Sequence, residues 1–207
     1  PQFPVMCITY QTGTNDGLYV GTDVGVFYRD ASLSSWQCFN TNLPVGIVPD
    51  LEINYCTEKI RASVYGRGIW ESPLVTTAQI PKVISSNITW GINSHIVQPT
   101  DLIIEPTYTL TVKGKLLMNP DKKIIVKEGA KLIIDGGNIT CNCGTWKGIE
   151  VQGDPTKSQL EDGSQGIVEI INGGTIENAV IGIDALGHKY AINETTTGFG
   201  GGGIIIA

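Results

Sequence analysis

The sequence predicts an all-β chain made of two unlike parts. Three observations carry that expectation. Glycine is abundant, at 26 of 207 residues, while charged residues make up only 16%, a balance that suits many turns between short strands. β-Branched runs recur between Gly, Asn, Asp and Pro, and no stretch offers a convincing helix. From about residue 95 the pattern changes from hairpin-like pairs to aliphatic triplets about 8 to 17 residues apart.

The first part contains an internal repeat. FPVMCITY at 3–10 aligns with VPDLEINY at 48–55, LYVGT at 18–22 with IRASV at 60–64, and GVF at 25–27 with GIW at 68–70. The offsets are 45, 42 and 43 residues, and each unit reads as strand, turn, strand, tight Gly turn, strand. A period of that length built from antiparallel strands is the size of one propeller blade. The first unit is predicted to hold strands over 4–10, 17–22, 25–29 and 35–39, and the second only three, over 49–55, 59–65 and 68–72. Residues 1–74 are therefore expected to be the last two blades of an incomplete β-propeller, since two blades cannot close a ring.

The second part, 95–207, supplies the triplets in DLIIEP, LTVKGKLLM, KIIVKEGAKLIIDGGNIT, GIEVQG, GIVEIINGGTIENAVIGIDA and GIIIA. No triplet buries enough apolar surface alone. Stacked coil on coil they form continuous ladders, with Ile124 and Val126, Leu132 and Ile134, Ile149 and Val151, and Val168 and Ile170 pointing inward. The expectation is an incomplete right-handed parallel β-helix with turns at EGA (128–130), DGGN (135–138) and NGGT (172–175). The polar stretch 153–166 reads as a loop expelled from one coil. Residues 75–94, with Pro81 and a Ser/Thr/Asn run, read as a linker in which Trp90 caps the first coil.

The hairpins LYVGTDVGVFYRD and ASVYGRGIWES resemble those of the bacterial-neuraminidase-repeat propellers, a group that includes sortilin-like and xyloglucanase-like domains. The family's Asp-box, S-x-D-x-G-x-T-W, should end at Trp36, where this chain has Ala31 and Leu33 in place of the aspartate and glycine. The second part, through GTWKGIEVQG and GGTIENAVIGI, resembles β-helix modules of very large bacterial surface proteins exported by the type IX pathway. Those resemblances imply a secreted or cell-surface protein whose partners are extracellular glycans or cell-surface components.

Composition narrows the function further. A formal charge of −6 without a Lys/Arg cluster argues against nucleic acid as a partner. No apolar run approaches the roughly 20 residues needed to cross a bilayer as a helix, so membrane insertion is not expected. PQFPVM opens without an initiator Met and GGGGIIIA closes on a strand-like run, so the chain is read as an excerpt of a longer one. Five cysteines, at 7, 38, 56, 141 and 143, match no paired CxxC pattern and read as buried thiols. Cys141 and Cys143 are expected on one strand face.

Candidate site residues are few. Arg67, between Gly66 and Gly68, is either a substrate-binding cation or the tip of a hairpin, and the glycines favour the tip. Trp70 and Phe27 occupy matched positions facing a neighbouring blade and read as core packing rather than as a sugar platform. In the second part Asp135, Glu150, Glu169, Glu177 and Asp184, with Lys147 and His188, are the groups that a glycosidase or lyase would draw on. Asp135 and Asp184 are retained as candidates against the simpler reading that alternation turns them to solvent. His95 and His188 lack metal-ligand spacing, GFGGGG lacks the Lys-Ser/Thr of a phosphate loop, and no cofactor or metal is expected. The leading expectation is a non-catalytic adhesive or display protein. A carbohydrate-active enzyme, glycosidase or polysaccharide lyase, is the alternative, and an accessory domain of a secreted peptidase a third.

Overall fold

In the computed structural model residues 3–76, 79–141, 143–154, 157–158, 163–185 and 203–207 are described. Every regular element among them is a β-strand. The chain divides into two compact units, residues 1–80 and 81–207.

In the first unit Val5–Gln11 (β1), Gly17–Thr22 (β2), Val26–Arg29 (β3) and Gln37–Cys38 (β4) form one antiparallel sheet in sequence order. Asp50–Asn54 (β5), Lys59–Val64 (β6) and Gly68–Pro73 (β7) form a second, of three strands. Period-2 alternation decides which residues meet. Tyr19, Val26 and Tyr28 of the first sheet share a buried cluster with Leu51, Ile60, Ala62 and Val64 of the second. The opposite face of the second sheet is mostly polar, with Glu71 accepting from Lys59 Nζ at 2.6 Å and Arg61 Nε at 3.0 Å and Ile69 exposed beside them. The opposite face of the first sheet is apolar and open: Met6, Ile8 and Tyr10 of β1 are 45%, 62% and 47% exposed.

The turn where the Asp-box is degenerate is nonetheless organised by an acid, one residue earlier. Asp30 Oδ1 accepts from Ser32 N at 2.9 Å and Ser32 Oγ at 2.6 Å, and its Oδ2 from the Tyr28 hydroxyl at 3.1 Å. These bonds, led by the Ser32 hydroxyl, hold its carboxyl below the usual range.

The second unit follows another rule. Its strands are Lys82–Ile84 (β8), Ile88–Trp90 (β9), His95–Gln98 (β10), Leu102–Ile104 (β11), Thr109–Val112 (β12) and Lys115–Met118 (β13). Lys123–Val126 (β14), Lys131–Asp135 (β15), Asn138–Thr140 (β16), Trp146–Val151 (β17) and Ile167–Ile171 (β18) come next. Thr175–Ile176 (β19), Ala179–Asp184 (β20) and Ile204–Ile206 (β21) complete it. Each pairs in parallel with the strand three places along, giving the sheets β8-β11-β14-β17-β20, β9-β12-β15-β18-β21 and β10-β13-β16-β19. The chain thus visits three sheets in rotation, one circuit after another.

Registers stack like on like. Ile84, Ile104, Val126 and Val151 form one ladder and Leu110, Leu132 and Val168 another, all fully buried. A fully buried aliphatic contributes about 1.5–3 kcal/mol over an exposed one, so the ladders are the main stabilising term of this unit. Trp146, the largest buried side chain, satisfies its only polar atom by donating from Nε1 to the Glu177 carbonyl at 2.8 Å.

Glycine is required where circuits touch backbone to backbone. A Cβ on Gly114 would strike the Gly91 and Ser94 carbonyls, one on Gly137 the Val112 carbonyl, and one on Gly174 the Ile134 carbonyl. Gly148, at φ 106°, lies at the register shift between β17 and β20, where a Cβ would overlap the Ile181 carbonyl.

Three expectations need correction. Residues 75–94 are not simply a linker, because β8 and β9 pair in parallel with β11 and β12. The cysteines are not uniformly buried: of the free thiols Cys141 is buried, Cys7 half-buried and Cys38 exposed. Residues 141 and 143 lie outside any strand, so no strand face carries both cysteines. The excursion at 153–166 is tied at its base by an antiparallel bridge between Gly153 and Gln165.

Gly148→Ala should lower stability by about 2–4 kcal/mol in chemical denaturation of the whole chain. Gly182→Ala, where a Cβ meets open space, should shift it by less than about 0.5 kcal/mol. Equal effects would contradict the close approach of β17 and β20.

Candidate functional site

The three candidate residues occupy three separate places. Arg67 lies in the loop joining β6 to β7, where Val64 pairs with Gly68 and both flanking glycines have positive φ, 70° at Gly66 and 83° at Gly68. Its N–H donates to the Val64 carbonyl at 2.9 Å, its own carbonyl accepts from Trp70 Nε1 at 3.0 Å, and the residue is exposed. That is the geometry of a hairpin tip.

Asp135 closes β15. Lys113 Nζ lies 2.8 Å from its Oδ2, and Asn172 Nδ2 donates to its Oδ1 at 2.6 Å. Lys113 first and Asn172 second hold its carboxyl below the usual range. Asp184 closes β20 in a different sheet, in register with Glu150 of β17. The structure therefore does not bring Asp135 and Asp184 together; it sets Asp184 beside Glu150.

The cluster Lys123, Glu150 and Asp184 is where a pair of carboxylates and a lysine do meet across neighbouring circuits. Lys123 Nζ lies 2.6 Å from Glu150 Oε2, and Gln152 Nε2 donates to Glu150 Oε1 at 2.8 Å. Burial pushes the Glu150 carboxyl up and Asp184 adds to that, yet the bonds from Lys123 and Gln152 outweigh both, leaving it lowered. A carboxyl held ionised with both oxygens engaged is poorly suited to donate a proton.

The same arrangement recurs. Lys127 Nζ meets Glu105 Oε1 at 2.7 Å, and Lys131 Nζ meets Glu169 Oε1 at 2.7 Å. Each of these pairs links one circuit of the chain to the next, so the acids act as ties along the stack. Glu177 and Lys147 are exposed, and His95 is exposed in β10. His188 and residues 198–202 of the GFGGGG run lie outside the described residues. Among the described residues no group of three or more His, Cys, Asp and Glu could hold a metal ion, and no helix is long and apolar enough to cross a membrane.

Trp70 departs from the sequence expectation. It is not wholly taken up in packing between sheets but 41% exposed, and it lines a cleft between the two sheets of the first unit. Its repeat counterpart Phe27 is half-buried and stacks on Phe3 with ring centroids 6.0 Å apart. Nothing in the sequence distinguished the two positions, since the difference depends on what covers each ring.

The chain matches no family model, no curated protein and no solved structure.

The lowered carboxyls of Asp135 and Glu150 have a consequence with a definite sign. A folded-state value below the unfolded one gives stabilisation that is present above the unfolded carboxyl range, near pH 4, and lost as pH falls through the depressed values. Urea stability of the chain should therefore drop between about pH 5 and pH 3, and Asp135→Asn with Glu150→Gln should flatten that drop. An unchanged slope in the double variant would show that these ties carry none of it.

Proposed function

We propose that the chain is a structural and adhesive, non-catalytic part of a large secreted or cell-surface bacterial protein, binding glycans or cell-surface components. In this reading residues 1–80 are consecutive blades of a β-propeller and residues 81–207 a right-handed parallel β-helix. The observation that carries it is repetition in which, among the described residues, carboxylates that lie across neighbouring circuits are engaged by lysines rather than left to act as acid and base. Strands stack in register circuit after circuit, and the cross-circuit acids Glu105, Asp135, Glu150 and Glu169 are each tied to a lysine.

The open apolar face of the first sheet supports the propeller part. Met6, Ile8 and Tyr10 are the repeat counterparts of Leu51, Ile53 and Tyr55, and Leu51 and Ile53 pack against the first sheet. A face with that composition is suited to cover by another sheet of the same kind. The outer face of the second sheet, tied by Glu71, is more polar and exposes Ile69.

The reading is tested by pairing a binding assay with a turnover assay. Fluorescently labelled protein should be retained on bacterial cells or immobilised glycans, while acidic polysaccharides and aryl glycosides incubated with it should release no new reducing ends. Turnover that disappears in Glu150→Gln or Asp135→Asn would overturn the reading in favour of a glycosidase or lyase.

A further inference from the structure

Between the two sheets of the first unit lies a cleft of about 480 Å³, a size suited to a small ligand. None of the candidate site residues lines it. The first sheet and the turn after β4 contribute Val26, Phe39, Thr41 and Asn42, and the second sheet contributes Trp70 and Ser72.

Trp70 is preset for contact. Its Nε1 is committed to the Arg67 carbonyl at 3.0 Å, which fixes the indole on its own hairpin and leaves only apolar ring surface for a ligand. Asn42 stands at the turn with φ 63°, backed by the Leu43 N–H donating to the Asn40 carbonyl at 2.9 Å. Thr41 and Asn42 are exposed and bring a hydroxyl and a side-chain amide to the rim.

Charge narrows the ligand. Among the described residues lining the cleft Glu71 alone is ionisable as an acid or base of ordinary strength, apart from the Cys38 thiol, and both its oxygens are occupied by Lys59 and Arg61. An ionic ligand would lose its hydration without gaining a counter-charge. A purely aliphatic ligand would bury hydroxyl and amide groups unpaired, at about 1–3 kcal/mol each. What fits is an uncharged molecule with an apolar face and a hydroxylated edge.

We propose that this cleft binds a neutral pyranose unit of a glycan, its C–H face on Trp70 and its hydroxyls toward Thr41, Asn42 and Ser72, and that it discriminates against acidic sugars. The proposal rests on the adhesive reading in taking a saccharide as the ligand class.

The test titrates the whole chain with cellotriose, maltotriose and mannotriose, and with sialyllactose and trigalacturonate as acidic probes, followed by tryptophan fluorescence and NMR shifts. At least one neutral trisaccharide should bind saturably, more tightly than either acidic probe. Trp70→Ala should weaken it about tenfold or more, and Asn42→Gly about threefold. Because glycine accepts the φ of Asn42, the second variant keeps the turn and holds the test open should Trp70→Ala loosen the sheet. The proposal is overturned if no neutral trisaccharide binds at about 10 mM, if an acidic probe binds more tightly, or if affinity is unchanged in both variants. Cell retention that persists alongside any of those results overturns the cleft assignment alone. Loss of all saccharide binding and all retention counts against the adhesive reading as well.

Discussion

The peptide groups of the strands described between residues 81 and 207 find their partners in other circuits of the chain, and the rest of that unit depends on this. An isolated three- or four-residue strand leaves a row of N–H and C=O groups unsatisfied, and burying such groups unpaired is costly. The parallel partner lies about one circuit away, as Leu110 does from Leu132 and Ile124 from Ile149. A circuit is therefore stable only between neighbours, and a one-residue slip would turn every inward aliphatic to solvent. In-register stacking, glycine where backbones touch, and lysine–acid ties along the outer faces all follow from that single requirement.

The first unit solves the same problem locally. Its strands pair antiparallel with sequence neighbours, so each sheet satisfies most of its own backbone, and what remains to be decided is which faces are covered. The first sheet presents aromatic and aliphatic residues on both faces, whereas the outer face of the second is mostly polar, with Ile69 its exposed aliphatic. The contrast between Met6, Ile8 and Tyr10 on one outer face and Lys59, Arg61 and Glu71 on the other gives the pair of sheets a direction. The face of Met6, Ile8 and Tyr10 is the one better suited to further packing.

In the proposed reading, function belongs to surfaces rather than to a reacting centre. Three of the five carboxylates that a hydrolase would draw on, Asp135, Glu150 and Glu169, are ties between successive circuits, and a group held ionised by a lysine makes a poor acid. A binding site needs less: one immobilised aromatic ring and a few uncharged polar groups around a concavity. The cleft beside Trp70 has these, and it sits on paired sheets whose packing, through Tyr19, Val26 and Leu51, keeps its walls in place.

The sequence by itself determined the local pattern. Alternation at Met6, Ile8 and Tyr10 and at Leu132 and Ile134, the 42–45-residue repeat, and the glycines at 129, 136 and 173 are short-range features, and they located the strands and turns to within a few residues. The cross-circuit pairs were not legible, because Lys123 and Glu150 are 27 residues apart and Lys127 and Glu105 are 22 apart; no local rule selects one acid over another at such separations. The role of 75–94 was missed because β8 and β9 are only three residues each and become strands by pairing with β11 and β12. The tertiary structure alone decided that Trp70 lines a cleft while Phe27 stacks on Phe3, since exposure belongs to a residue's surroundings and two equivalent places in a repeat can have different neighbours.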